Sequence, residues 1–351
     1  MNRRLPAAVS LALGLGASML TAAVPTPLAA QSDTPITSLV VAAADRGSDP
    51  EASLSDLVTL NQRTFGRSGA LRVAVVRALD VVDLPFVRRD DTADGVVYRW
   101  MPLFGTPPES VGGDMRLAGH LRAPTQPGNW RLLLRRGEEQ HEVRDFTIVT
   151  QVAFTEKRSG RLNGYNIGTY PTEGTGRMDR YAPPAGFIEV TPGNRDMQVS
   201  KHFRLGQFLT KDQFNVWPKY VALDLQLIDK LELVMQELNA MGVRAERMHV
   251  MSGYRTPQYN GPGDGGRAQL SRHMYGDAAD VWVENGTRTG AMADLNGDGQ
   301  IDERDALVLL QAVDRVEQKH PDLVGGAGVY RAYGARGPFV HIDVRGAWSR
   351  W

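Results

Sequence analysis

"SRHMYGDAADVWV", Ser271–Val283, places a histidine seven residues ahead of an aspartate, with a glycine and two alanines between them and an apolar, β-branched run at the end. The run predicts a buried strand, and Gly276, Ala278 and Ala279 are small enough to let a turn close against it. Two readings stand: His273 and Asp280 are parts of a metal site, or they belong to a polar turn that leads into the core. Upstream, "KYVALDLQLIDKLELVMQELNAMGV" repeats apolar residues at Leu225, Leu227, Ile228, Leu231, Val234 and Leu238, which predicts a long amphipathic helix with one buried stripe. "RMHVMSGYR" follows as a strand, and "PFVHIDV" supplies a last one. Helix, strand, turn, strand and final strand describe an α+β domain over 196–351, an antiparallel sheet with helices.

The rest of the chain organises around that domain. Residues 1–30, "MNRRLPAAVSLALGLGASMLTAAVPTPLAA", have two arginines, an apolar stretch and small residues before Gln31, the pattern of a secretory signal peptide. Residues 31–67 are Ser-, Asp-, Ala- and Thr-rich and read as a spacer. Over 68–155, short β-branched and aromatic runs such as "GVVYRWMPLF", "NWRLLLRRG" and "VRDFTIVTQVAF" alternate with Gly, Pro and Asp clusters, which predicts a small all-β sandwich of immunoglobulin-like type. Residues 156–195 lack sustained periodicity and read as a connector.

Forty basic and forty acidic side chains cancel, so no global field draws the protein to nucleic acid or an anionic membrane. No segment after the leader reads as a membrane span. Cysteine is absent, which excludes disulfides, thiolate metal sites and a cysteine nucleophile.

Hydrolytic zinc sites commonly use three nitrogen or oxygen ligands and keep a fourth position open. His273, Asp280 and His341 would supply such a set. Asp343 lies two residues beyond His341, on the same face of a strand. It is a candidate general base, or alternatively a partner that orients a ligand without moving protons. A second metal signal is "DLNGDGQIDERD", Asp294–Asp305, which follows the calcium-loop pattern. Asp294, Asn296, Asp298, Gln300 through its carbonyl, and Asp305 stand at ligand positions, with Gly299 at the sharp turn and Ile301 after it. The alternative is a solvated acidic helix start capped by Asp302. Among the other histidines, His202 alone opens the C-terminal region in a position from which it could approach a cleft, and His249 reads as structural. Tyr254, Tyr275 and Trp282 either wall the site or pack in the core.

"SRHMYGDAAD" resembles the S-x-H-x-x-G-x-A-x-D signature of the zinc D-alanyl-D-alanine carboxypeptidase family, peptidoglycan peptidases related to the hedgehog domain. "SGYRTPQYN", Ser252–Asn260, and "FVHIDVRG", Phe339–Gly346, resemble that family's flanking segments, the latter those of its murein endopeptidases. The resemblance covers about 196–351. It implies His273, Asp280 and His341 as zinc ligands, Arg255 as the group that binds a substrate carboxylate, and Ser271 as a substrate-binding or supporting serine. A surface salt bridge is the alternative for Arg255. The implied function is an exported, periplasmic or wall-associated zinc peptidase acting on peptidoglycan peptides, with calcium in a structural role. Several relatives carry a glutamate three residues before the last histidine, or a histidine two before it. Here those positions are Pro338 and Phe339, which leaves open a non-catalytic zinc-containing module that binds the cell wall.

Overall fold

Alternation in "NWRLLLRRG" buries every second side chain, and Trp130, Leu132 and Leu134 form one apolar face of a strand in the computed structural model. The structure describes residues 54, 59–60, 66–83, 86–87, 95–104, 113–117, 120–176, 179–261, 267–286, 289–334 and 336–351. The leader at 1–30 and nearly all of the spacer at 31–67 lie outside them. Residues Asp49–Trp351 form one compact unit.

The first half contributes β1 (Thr59–Leu60), β2 (Val73–Val76), β3 (Val81–Asp83), β4 (Phe86–Val87), β5 (Val97–Pro102), β6 (Met115–Arg116), β7 (His120–Arg122), β8 (Gly128–Arg136) and β9 (Glu139–Thr150). Five of them form a sheet in the order β2-β9-β8-β5-β6, in which β2 runs parallel to β9 and the other pairs are antiparallel. β3 pairs with β7 separately. Trp100 Nε1 donates to the Arg122 carbonyl at 2.7 Å, and the Tyr98 hydroxyl accepts from Arg122 N at 2.9 Å, so the two strand groups share a core with Leu121 and Phe146 inside.

The chain then passes through β10 (Val152–Ala153), β11 (Arg161–Leu162), β12 (Tyr165–Asn166), β13 (Gly186–Val190) and β14 (Lys219–Val221), with β10-β13-β14 forming a three-stranded sheet. The stretch expected as a connector is therefore folded. It lacked a visible period because it packs through single aromatic residues: Tyr165, Tyr170 and Phe187 are buried, and the Tyr170 and Tyr254 hydroxyls lie 2.9 Å apart.

α1 (Leu225–Ala240) starts on Asp224, whose side chain accepts from Gln226 N at 2.9 Å. The expectation of one buried stripe needs correction, because the helix is buried almost all round and includes Asp229, Lys230, Glu232 and Glu237. Each of these has a remote partner that compensates its desolvation. Asp229 accepts from the backbone N–H groups of Arg67 and Ser68, Lys230 donates to Glu317 Oε1 (2.6 Å) and the Asp343 carbonyl (2.7 Å), and Glu232 accepts from Ser200 Oγ and His202 N. Glu237 pairs with Lys319.

The remaining elements are β15 (Arg247–Ser252), α2 (Pro257–Asn260), β16 (Ala278–Glu284), α3 (Glu303–Lys319), β17 (Gly326–Tyr330), β18 (Phe339–Asp343) and β19 (Ser349–Arg350). The five strands form the second five-stranded sheet, β15-β16-β18-β17-β19, antiparallel except where β19 runs beside β17. α1 packs against α3, and α3 against β17 and β18. The architecture is α+β, as expected. No described helix is long and apolar enough to cross a membrane.

Candidate metal centre

Register builds this site. Asp280 on β16 is paired with His341 on β18, so the two side chains share one face of the sheet. His273 reaches the same face from a single 3-10 turn, Arg272–Tyr275, that ends on Gly276. Gly276 has φ +76°, and a Cβ there would stand 2.3 Å from the Ala222 carbonyl oxygen. Only glycine closes this turn, and its carbonyl accepts from Asp224 N at the start of α1.

His273, Asp280 and His341 are buried and form, among the described residues, the group whose donor atoms converge closely enough to share an ion. His273 Nε2 lies 3.2 Å from Asp280 Oδ1 and 3.2 Å from His341 Nδ1, and His341 Nδ1 lies 3.0 Å from Asp280 Oδ1. Ligands at zinc distances in a tetrahedral shell stand about 3.3 Å from one another, so the triangle has the right size. The partners on the far sides fix the tautomers. His273 Nδ1 faces the Gly253 carbonyl at 2.7 Å, and His341 Nε2 faces Asp343 Oδ2 at 3.1 Å. Both partners only accept, so both hydrogens point outward when the rings are neutral. Two nitrogen lone pairs and a carboxylate oxygen then face a common point. A cation at that point would satisfy all three.

Electrostatics agree with that donor set. Burial pulls His273 below the ordinary imidazole range. Burial alone would raise Asp280, but His273 and His341 hold it well below the carboxylate range. His341 goes the other way: burial opposes its protonation, yet the hydrogen bonds to Asp280 and Asp343 raise it.

Asp343, with no exposed surface, does not enter the triangle. It accepts from His341, from Gly326 N at 2.7 Å and from Arg345 Nε at 2.9 Å, and these partners hold it below the usual carboxylate range against the effect of burial. Arg255 Nη2 donates to Asp280 Oδ2, the oxygen turned away from the histidines, while its Nε donates to Ser252 Oγ at 2.9 Å. Arg255 thus stands beside the donor triangle. Ser271 is buried at the start of the histidine turn, where its carbonyl accepts from Met274 N at 3.1 Å. His202 is drawn to Glu232 at 2.7 Å, and His249 stacks on Trp282 at 4.2 Å. Tyr254 and Tyr275 are core residues, Tyr275 with the Arg272 guanidinium on its ring.

The loop at 294–305 closes on itself. Asp294 accepts from Gly297 N and Gly299 N, Asn296 Oδ1 from Asp298 N, and Asp298 Oδ1 from Gln300 N. Asp305 accepts from Leu295 N and Asn296 N and, through its other oxygen, from Asp302 N, so it caps α3 as part of a capping box. Its carboxylates do not converge as the His–Asp–His donors do.

Several supporting groups had no sequence signal strong enough to find them. Arg272 and Asp277 form a buried pair, with burial pushing Asp277 up to about 6 against the pull of Arg272. The Gly253 carbonyl meets His273, and Lys230 and Arg345 meet Asp343 behind His341. Arg345 alone was within reach, since it follows Asp343 at period-two spacing.

A buried two-histidine, one-carboxylate donor set on an antiparallel sheet is one that could hold a metal ion, with the ligand types that catalytic zinc sites use. Residues 211–298 match the Peptidase M15 family model, a family of zinc-dependent metallopeptidases. The match takes in Arg255, Ser271, His273 and Asp280 and ends before His341. No curated protein and no solved structure matches the chain.

Proposed function

We propose that this chain is an exported zinc metallopeptidase that hydrolyses peptide bonds in peptidoglycan stem peptides or cross-links. The observation that carries the proposal is the convergence of three donor atoms whose ring hydrogens are turned outward by Gly253 and Asp343. His273, Asp280 and His341 would hold the ion. Zinc, when bound, supplies Lewis acidity to the scissile carbonyl and to water. Asp343 is a positioning residue, keeping the His341 ring in the tautomer that presents Nδ1. Arg255 offers a planar guanidinium to a substrate carboxylate beside the ion, and Ser271 supports the turn that carries His273.

A second reading has its own observation. Pro338 and Phe339 stand where several relatives carry a proton-transfer group, and Asp343 is committed to His341 and Arg345. These favour a zinc-containing module that binds the wall without cutting it. Incubation of the purified protein with muropeptides, with and without chelator, separates the two: chelator-sensitive release of D-amino acids or of cleaved dimers supports the peptidase, and bound zinc without turnover supports the module.

Three further assignments belong to this proposal. The leader at 1–30 would direct export to the periplasm or wall. The strand order β2-β9-β8-β5-β6 with β3–β7 alongside supports an immunoglobulin-like type for residues 68–155. Asp294, Asn296, Asp298, Gln300 and Asp305 would hold structural calcium, as their spacing suggests. Added calcium should then raise the melting temperature, and Asp294→Ala should abolish that rise; no rise in the wild type removes calcium from the account.

A further inference from the structure

The sheet face that carries the donors is asymmetric, and the asymmetry has a local cause in two glycines. Opposite His341 on β17 stands Gly328, and next along the strand pair Tyr330 stands opposite Phe339. With no side chain at Gly328, the indole of Trp351 occupies the space beside His341. A Cβ at Gly328 would lie 2.4 Å from Trp351 Nε1. Gly326 in the same way makes room for Arg345 against Asp343.

The Trp351 ring centre is 5.3 Å from that of His341, and the two rings are tilted by 44°. Its Nε1 donates to the Tyr330 hydroxyl at 2.9 Å, and Tyr330 stacks on Phe339 at 4.7 Å with the rings nearly parallel. Backbone bonds hold this arrangement, since Val329 N donates to the Trp351 carbonyl at 3.1 Å and β19 is laid along β17. The donors themselves are buried, yet Trp351 is 50 % exposed and Tyr330 39 %. An exposed aromatic wall therefore begins where the donor triangle ends. Across the triangle, on the β15 side, stands the Arg255 guanidinium.

We infer that Trp351, with Tyr330, is a specificity-determining wall for the part of the substrate on the acyl side of the scissile bond, and that it takes a neutral, CH-rich side chain there. The inference rests on the peptidase reading and on Arg255 as the carboxylate site. A peptide whose terminal carboxylate meets Arg255 places its leaving residue over the β15 side of the ion. Its acyl portion then crosses His341 toward β17 and meets the ring faces. Flat aromatic faces gain by burying aliphatic surface. The polar edge of the indole is already satisfied by Tyr330, so it does not ask for a hydrogen-bonding ligand. The Arg345 guanidinium, 5.5 Å from the Trp351 ring, works against a cationic one.

The test compares two peptides that both end in D-alanyl-D-alanine, one preceded by Nα,Nε-diacetyl-L-lysine and the other by acetylglycine. In the zinc-loaded wild type, kcat/KM should favour the lysyl peptide, and Trp351→Ala should shrink that preference by about tenfold, the scale of losing one or two buried methylenes. An unchanged preference in a folded, zinc-loaded Trp351→Ala overturns the inference. So does an equal loss on both peptides, which would mean that Trp351 acts only through His341. A second readout does not need turnover: the Trp351 indole N–H resonance, assigned by its loss in Trp351→Phe, should shift with the lysyl peptide and much less with the glycyl one. Shifts confined to Arg255 and the donor residues would leave the peptidase reading standing and remove the aromatic wall. No binding of either peptide would remove both.

Discussion

Asp343→Asn is the most discriminating single change. In the wild type, Asp343 Oδ1 accepts from two backbone N–H groups, Gly326 at 2.7 Å and Arg345 at 3.1 Å, while Oδ2 faces His341 Nε2 at 3.1 Å. In asparagine only one of the two positions stays an acceptor; with the amide oxygen kept on the two backbone donors, the NH2 group turns toward His341 and the Arg345 guanidinium. Two donors then face each other, and His341 can relieve the conflict only by moving its hydrogen to Nδ1, the atom that faces His273 and Asp280. The substitution therefore reaches the metal without touching a ligand atom. A hydrogen bond to a buried carboxylate is worth about 1.5–3 kcal/mol. Supporting partners of metal-bound histidines typically account for about 10–100-fold in affinity, or about 1.4–2.7 kcal/mol, and the two estimates agree. Zinc affinity is read by competition with a chromophoric chelator near pH 7, alongside circular dichroism to confirm the fold. A folded Asp343→Asn that binds zinc as tightly as the wild type would refute the assignment of Asp343 as the residue that fixes the His341 tautomer.

The other predictions concern protons and packing. Because His341 is raised while His273 is lowered and Asp280 stays ionised, protons compete with zinc chiefly at His341. Affinity should be level above the raised His341 value and fall by about tenfold per pH unit below it; chelator titrations at a series of pH values check this, and a flat profile through the imidazole range contradicts it. Lys230→Met removes an ammonium with no exposed surface and strips Glu317 and the Asp343 carbonyl of a donor. Urea unfolding should show a loss of about 3 kcal/mol, the lower end for breaking a buried pair, since Arg350 still reaches Glu317; wild-type stability would contradict it. Gly276→Ala should cost about 2 kcal/mol or more, from a left-handed backbone and a collision with Ala222. Its melting temperature measures this, and an unchanged value would show that the turn can open without cost.

What the sequence disclosed follows from how local each signal is. His273 and Asp280 lie close along the chain, separated by one tight turn and the start of a strand, so their spacing offered a shared metal site as one of two readings, beside a polar turn leading into the core. His341 joined them through an apolar run that predicted a strand, although only the β16–β18 register places it opposite Asp280. Period-two alternation put Asp343 on the right face but could not choose between base and orienting partner. That choice depends on Gly326 and Arg345, which the fold brings around its carboxylate. α1 misled in an instructive way: periodicity treats charged positions as solvent-facing, and here Asp229, Lys230, Glu232 and Glu237 find partners from remote parts of the chain. The pairing of Gly328 with Trp351 left no trace in the sequence, because a missing side chain is informative only once its neighbour is known.

The central claim is that His273, Asp280 and His341 hold one zinc ion. Metal content of the folded wild type and of His273→Ala, measured after dialysis against limiting zinc, tests it most directly. About one equivalent of zinc is expected in the wild type and close to none in a folded His273→Ala. A zinc-free folded wild type, or a variant that keeps its zinc, would contradict it.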